Sequence, residues 1–357
     1  MDHGARTLLE WLVMYDARGG WQGESVTQPK VTIAIPTYTR SRTLTRAVNS
    51  ALGQTYEDIE VLVCDDCSTD DTQEVLESYS DPRLRVWRHE ANVGIFANVN
   101  ECVRGANGEY FLLLMDDDYL ESHCIESLLT IWEREHGIAF VYGQYWLDSD
   151  SGSVLMRGDA PDQEEGFRFI KGWWAGKRPC FINTVLFRTE RVRGVGGFHP
   201  IYAFDVYLIH RLALEGVVAH VPRPVSHYVE HSGTVSNTRV RWQDVLWDRE
   251  AVFEMCVAEG IRRGISARDL AELRKTVRRS QAIVAAGGLL RAAESTDSIC
   301  EMARLAWQLR GVWRHNLLVS GPAVASAVFL PRALREGVRK TVRKLGKASH
   351  LSEIVRA

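Results

Sequence analysis

Three consecutive aspartates, Asp116, Asp117 and Asp118, follow the apolar run Tyr110-Phe111-Leu112-Leu113-Leu114-Met115. Packing three negative charges within a few ångströms is costly unless a cation relieves the repulsion or one carboxyl keeps its proton. A divalent ion is the simplest relief. Carboxylate oxygens are hard donors, which suits Mg2+ or Mn2+ shared with substrate phosphates better than zinc. A single Asp here would be read as a cap for the helix expected from about Glu121; three in a row favour the cation.

Two further segments carry polar groups at the ends of apolar runs. Ile35-Pro36-Thr37-Tyr38-Thr39-Arg40 ends the first run, where the proline stops sheet pairing and an aromatic ring with hydroxyls can grip a nucleoside. Val63-Cys64-Asp65-Asp66-Cys67-Ser68-Thr69-Asp70-Asp71 ends the second. Ser68 or Thr69 can cap the next helix with Asp70 and Asp71 at its positive end, whereas Asp65 or Asp66 suits a hydrogen bond to a base or ribose. Cys64 and Cys67 have C-x-x-C spacing, but a zinc site needs a second soft pair, and two aspartates between the thiols would raise their pKa. Core packing is the better reading of Cys64.

The elements that position these groups are legible as short apolar runs at Val31 to Ile35, Ile59 to Cys64, Leu84 to Trp87, Tyr110 to Met115 and Ile138 to Tyr142. They alternate with helical patterns at about 41–53, 70–79, 95–105 and 121–136, the rhythm of a mainly parallel α/β sheet. In such sheets ligands bind beyond the carboxyl ends of the strands, where the aspartates lie. After about residue 145 the rhythm breaks into a polar loop, Arg157 to Gly166, an aromatic and Gly-rich segment to Gly176, and a strand candidate at Phe181 to Phe187. A helix is expected from Phe204 to Glu215. Residues 242–315 read as two or three amphipathic helices with stops at Gly260, Gly264 and Gly287-Gly288.

Hydrophobic content of 45% and charged content of 25% over 357 residues describe an ordinary globular chain with a full core, not a disordered or membrane-spanning one. The apolar stretches Leu8 to Met14 and Leu317 to Leu330 are shorter than the roughly 20 residues of a bilayer span. Seven scattered cysteines, an odd number, form no secreted disulfide framework, and no secretory signal is read at the start, so a reducing cytoplasmic compartment is expected. The net charge of −3 hides a basic tail: residues 331–357 hold eight Lys/Arg against two Glu. There Leu334, Val338, Val342 and Leu345 recur at nearly helical spacing among Arg and Lys. That pattern suits either a docked helix or one lying on an anionic membrane surface. Nucleic acid is not expected, because no base-reading aromatic pattern accompanies the charge.

Taken together, Val31 to Tyr38, Asp65-Asp66-Cys67-Ser68-Thr69-Asp70, the Asn92-Val93-Gly94 turn before a helix, and Asp116 to Asp118, in this order, resemble the family-2 glycosyltransferases of the GT-A fold over about residues 31–240. The family often has Gly where this chain has Cys67. The resemblance implies a nucleotide-diphosphate-sugar donor held by Pro36, Thr37, Tyr38, Arg40, Asp66, Asn92, Asp116 and Asp117. It also implies Mn2+ or Mg2+ on Asp118, with His231 of Tyr228-Val229-Glu230-His231 meeting the metal or diphosphate. Phe204-Asp205-Val206-Tyr207 resembles the stretch whose Asp takes the acceptor hydroxyl proton; Phe204 stands where a Glu is usual, which puts a second acceptor contact in doubt. Trp173 and Trp174 suit either an acceptor-sugar platform or the core.

The expectation is therefore an α/β chain in three parts: an N-terminal helix and linker at 1–30, a GT-A domain at 31–240, and a C-terminal helical region at 241–357 with the basic tail. The function expected is inverting, metal-dependent sugar transfer to a glycan, lipid-linked or other hydroxyl acceptor in surface glycan synthesis, in the cytoplasm or at the inner face of the cell membrane. A nucleotidyltransferase would show a Gly-rich phosphate loop, which Pro36 to Arg40 lacks. A catalytically silent sugar-nucleotide-binding protein would have no need of both Asp118 and Asp205.

Overall fold

The computed structural model describes residues 29–134, 137–231 and 242–295. The helix expected before residue 29, the loop residues Ser232 to Ser236 and the basic tail at 331–357 lie outside them. Among the described residues a ten-stranded sheet organises the chain. Its first half is the expected parallel block. Strand β1 (Val31–Thr37) pairs in parallel with β2 (Ile59–Asp65) and with β4 (Tyr110–Leu113), and β2 pairs with β3 (Leu84–Arg88).

Period-two alternation divides the apolar residues of these strands between two cores. Val31, Ile33 and Ile35 pack with Leu44, Ala47 and Val48 of α1 (Ser41–Leu52) and with Leu128 of α4 (Cys124–Arg134). Ala34, Leu62 and Cys64 face the opposite way, toward Val99 and Cys102 of α3 (Ile95–Gly105). Both faces being covered explains why β1 and β2 are apolar almost without interruption. Each fully buried Ile or Leu contributes about 1.5–3 kcal/mol. The short α2 (Thr72–Glu77) connects β2 to β3.

The second half of the sheet is mixed. Strand β9 (Val185–Arg188) runs antiparallel between β4 and β6 (Ile138–Ser149), and β6 pairs in parallel with β10 (Val217–Val229). Strands β5 (Tyr119–Leu120) and β8 (Gln163–Glu165) are short antiparallel partners of β10, and β7 (Gly152–Met156) folds back on β6. The sequence reading missed β5, β7, β8 and β10. Strand β10 carries Pro222 and Pro224, whose missing N–H groups demote a strand pattern, and its pairing with β6 slips in register around them. The polar stretch expected as loop from Arg157 contains β8, and the Phe181 to Phe187 candidate divides into a 3-10 turn at Ile182–Thr184 and β9.

Helices α5 (Gly166–Trp174), α6 (Thr189–Gly194) and α7 (Phe204–Ala213) lie between the strands of the mixed half, and α8 (Trp242–Arg262) and α9 (Ala267–Ser295) close the described chain. Gly287 and Gly288 lie inside α9 and do not stop it, and Gly260 lies inside α8. The break between the two helices falls at Gly264, whose φ is +75°. Helix α8 packs on α7 and α9 packs on α5. Among the described residues no helix is long and apolar enough to cross a membrane.

The start of α5 touches the end of α7 with no room for a side chain. Gly166 N donates to the Gly216 carbonyl at 3.0 Å, and a Cβ at Gly166 would stand 1.6 Å from the Ala213 carbonyl oxygen. Gly166→Ala must therefore separate two backbones. A loss of about 3 kcal/mol is expected in urea denaturation; a midpoint equal to wild type would show that the junction gives way freely.

Candidate functional site

The carboxyl ends of β1, β2 and β4 bring together Thr37 to Arg40, Asp65 to Asp70 and Asp116 to Asp118. Strand β4 ends at Leu113, but Leu114 N still donates to the Ala34 carbonyl at 2.9 Å, so the aspartates follow the ladder by two residues. Thr37 Oγ1 donates to Asp116 at 2.8 Å, Arg40 Nη1 donates to Asp117 at 2.5 Å, and Arg40 Nε stands 3.8 Å from Asp116. On the other side Asp118 accepts the Asn183 side-chain amide at 3.0 Å and Val229 N at 2.8 Å. His231 Nε2 is 3.3 Å from Asp117. All of the expected metal and diphosphate residues thus meet in one place.

Asp116 and Asp118 are 5% and 1% exposed. Burial, followed by the Asp117 charge, pushes the Asp116 carboxyl up to about 7 despite Arg40 and Thr37. The same two causes, in the same order, hold Asp118 well above the usual carboxylate range against the Val229 N–H. Both residues are short of positive charge. The Asn183 side-chain oxygen, fully buried beside Asp118, has no hydrogen-bond partner among the described residues. These are hard oxygen donors in need of a cation, and they fit Mg2+ or Mn2+. Among the described residues no group of three His, Cys, Asp or Glu is arranged to hold a metal unaided. An ion bound through one or two carboxylates and completed by diphosphate oxygens and water does not require one.

The second aspartate cluster is differently employed. Asp65 is 1% exposed and paired with Arg88, with Ser68 also donating to it. Both oxygens of Asp66 are taken by the turn before α3, from Val93 N at 2.6 Å and Gly94 N at 2.9 Å, and the Asn92 amide reaches the Asp66 carbonyl at 3.3 Å. Asp66 therefore shapes the Asn92 turn in this conformation. Burial raises its pKa, and the two N–H groups oppose that. The capping expected of Ser68 or Thr69 falls to Asp70, which accepts Ser41 N at the start of α1 at 3.0 Å and Thr72 N at the start of α2 at 3.2 Å. Ser68 Oγ instead accepts Thr39 N at 2.8 Å, tying the two loops together.

Thr39 and Cys67 adopt φ of +54° and +61°, a conformation that costs an L-residue about 1–2 kcal/mol. At Cys67 this accounts for the glycine that the resemblance led one to expect. Cys64 is fully buried and meets Cys102, not Cys67. Pro36 is buried, whereas Tyr38 is 41% exposed and Asn92 is exposed, both open to a nucleoside.

Asp205 opens α7 and is half-buried. Burial lifts its carboxyl to about 6, against the N–H groups of Val206 and Asp205 itself and the charge of Arg249. The segment from Cys180 to Asn183 links it to the aspartate cluster: the Cys180 thiol feels the Asp205 charge, and Asn183 bonds Asp118. Trp174, 1% exposed and covered by Arg249 at 4.5 Å, offers no face to a sugar, so its acceptor reading gives way to core packing. Trp173 is half-buried beside it. Arg46, which donates to the Asp117 carbonyl at 2.7 Å, and Asn183 went unread in the sequence because no local pattern marks an Arg on a helix or an Asn in a 3-10 turn.

Residues 32–188 match Glycosyl transferase family 2. The glucosyltransferase WfaP of Escherichia coli, described as UDP-Glc:alpha-D-GlcNAc-diphosphoundecaprenol beta-1,3-glucosyltransferase, is 33% identical over 214 residues, which cover 59% of this chain and 81% of WfaP. Chondroitin synthase of Escherichia coli is 39% identical over 156 residues, 42% of this chain, but the match spans only 23% of that synthase. Among solved structures, Staphylococcus aureus TarS 1–349 in complex with UDP-GlcNAc superposes with a TM-score of 0.55 at 18% identity, covering 92% of this chain and 89% of that one. The GT-A fold is shared.

The aspartate cluster sets a pH test. In metal-free buffer the folded state holds the Asp116 proton up to about pH 7, far above the unfolded chain. The cost of ionising it is therefore fully present above that pH and fades as pH falls toward 4. Asp116→Asn should raise Tm at pH 7.5, with the gain shrinking by pH 5. A Tm at pH 7.5 no higher than wild type would refute the desolvation argument.

Proposed function

The chain belongs to glycosyl transferase family 2, and on that premise we propose that it moves a sugar from a nucleoside-diphosphate donor to an acceptor hydroxyl with inversion at the anomeric carbon. The observation that carries this reading is the desolvated Asp116–Asp118 cluster at the carboxyl ends of the parallel strands, with the separate carboxylate Asp205 across the Cys180 to Asn183 segment. The cluster has the chemistry of a diphosphate and metal site, and Asp205 has that of a base.

Thr37, Tyr38, Arg40 and Asn92 border the nucleoside, with Pro36 and Asp66 shaping their loops. Asp116 and Asp117 lie nearest the ribose and donor sugar. Asp118, Asp117 and His231 would hold Mg2+ or Mn2+, which supplies positive charge against the departing diphosphate. Arg40 adds a fixed cation at the same place. Asp205, with a pKa of about 6, is ionised at neutral pH and basic enough to take the acceptor proton. WfaP is named for a lipid-diphosphate-linked sugar acceptor and a UDP-sugar donor, which supports the same classes here. The tail at 331–357 is the proposed contact with an anionic membrane, in keeping with such an acceptor.

A nucleotidyltransferase and a silent binding protein are the competing readings. Two measurements separate them from transfer. Calorimetric titration with UDP, GDP and dTDP should show binding that weakens at least tenfold on chelation and in Asp118→Ala; affinity unchanged in both removes the metal. Asp205→Asn should keep donor affinity while turnover falls on the order of a hundredfold or more, and the wild-type product should carry the anomeric configuration opposite to the donor's. Near-normal turnover in the variant, or retained configuration by NMR, would sink the assignment.

A further inference from the structure

The family match ends at residue 188, yet the helix that carries Asp205 lies beyond it, and α8 packs against that helix. Arg249, in α8, is 4% exposed. Its guanidinium carbon lies 4.5 Å from the ring centre of Trp174 and 5.2 Å from that of Trp173. Nη2 donates to Ser280 Oγ of α9 at 2.8 Å, and Nε has no hydrogen-bond partner among the described residues. One neutral hydrogen bond and two aromatic faces do not offset the burial of a whole charge, which calls for an anion. Asp205, on the helix against which α8 packs, is the carboxylate whose charge reaches Arg249, and the effect is reciprocal. Burial pushes Arg249 down to about 10 and Asp205 opposes the fall, while Arg249 opposes the rise that burial causes in Asp205.

The preceding residue acts on the same helix. Asp248 accepts Tyr202 N at 2.6 Å and Ala203 N at 3.3 Å, fixing the backbone that leads into α7. Asp248 therefore fixes the start of the helix bearing Asp205, and Arg249, next to it in α8, brings a buried positive charge to the same region.

We propose that Arg249 is a positioning residue for sugar transfer, a cation supplied from the C-terminal helices that holds Asp205 ionised to receive the proton of the acceptor hydroxyl. Trp173 and Trp174 then form the platform of that guanidinium. The inference rests on Asp205 being the base. The other groups around Asp205 do not replace the cation. Cys180 is a thiol pushed up by burial and by the Asp205 charge, Asp248 is an anion at the helix start, and His210, farther along α7, is kept neutral by burial, its pKa near 3.

The full-length protein labelled with 13C-carboxyl aspartate gives a readout that needs neither donor nor acceptor. The Asp205 signal is the one lost in Asp205→Asn, and its titration midpoint, about 6 in wild type, should rise by about one pH unit in Arg249→Met and stay near wild type in Arg249→Lys. Turnover of the most active sugar nucleotide in a UDP-, GDP- and dTDP-sugar panel should fall severalfold at pH 6.5 in Arg249→Met. It should recover by pH 8.5, as a general loss of structure would not. An unmoved midpoint, or equal loss at every pH, overturns the proposal. Should Arg249→Met not fold, Ser280→Ala is measured instead: it frees the guanidinium and should move the midpoint upward by less, and no movement overturns the proposal equally. Full activity in Asp205→Asn would overturn the base assignment itself, whereas an inactive Asp205→Asn with an unmoved midpoint in Arg249→Met overturns only the role of Arg249.

Discussion

Crowding of like charge at the dry end of a buried sheet governs the carboxyl edge of this molecule. Two carboxylates about 5 Å apart repel by about 3 kcal/mol at an effective dielectric of 20, and Asp116 to Asp118 place three in succession where water is largely excluded. The surrounding parts answer that field. Arg40 and Thr37 come from the end of β1, Arg46 reaches from α1, and Asn183 and the Val229 N–H approach from the mixed half of the sheet. The positive φ at Thr39 belongs to the loop that delivers Arg40, and its N–H is held by Ser68. Strain there is the cost of turning a cation back over the cluster.

Acidity alone does not distinguish a site, as Asp65 and Asp66 demonstrate. They are as buried as the triplet, but Arg88 and Ser68 neutralise one and the turn at Val93 and Gly94 satisfies both oxygens of the other. Burial lifts Asp66 as it lifts Asp116 and Asp118, but at Asp116 and Asp118 the Asp117 charge is the next cause and adds to the rise, whereas at Asp66 the two N–H groups oppose it first. The difference is one of net charge within reach, and it makes the triplet the place where a further cation lowers the energy.

The parallel block was legible because strands covered on both faces must be apolar at every position, which makes Val31 to Ile35 and Ile59 to Cys64 stand out. Strand β7 is an edge hairpin with an exposed side, and β10 is broken by Pro222 and Pro224, so neither shows that signature. The triplet could be found by type and setting, since one Asp serves to cap a helix but three in succession exceed that need, whereas an Asp opening a helix is ordinary and Asp205 was singled out by the resemblance alone. Trp173 and Trp174 were open between core and acceptor because an aromatic pair looks alike in either role. What decides between them is the guanidinium of Arg249, more than seventy residues away in sequence. Long-range partners of this kind, Asn183 for Asp118 and Asp70 for α1 among them, leave no local spacing to read.

Asp205 joins the two ends of the chain in one chemical requirement. A carboxylate left in water, with a pKa near 4, is always ionised at neutral pH but is a weak base; one buried without compensation keeps its proton and is no base at all. The packing of α7 supplies the burial, and the helix N–H groups and Arg249 supply the opposing charge, leaving the group near 6. The C-terminal helices therefore do more than cover the second core. They contribute to the balance of charge and burial around a carboxylate lying outside their own sequence, and the segment from Cys180 to Asn183 runs from that carboxylate to the aspartate cluster on the parallel side of the sheet.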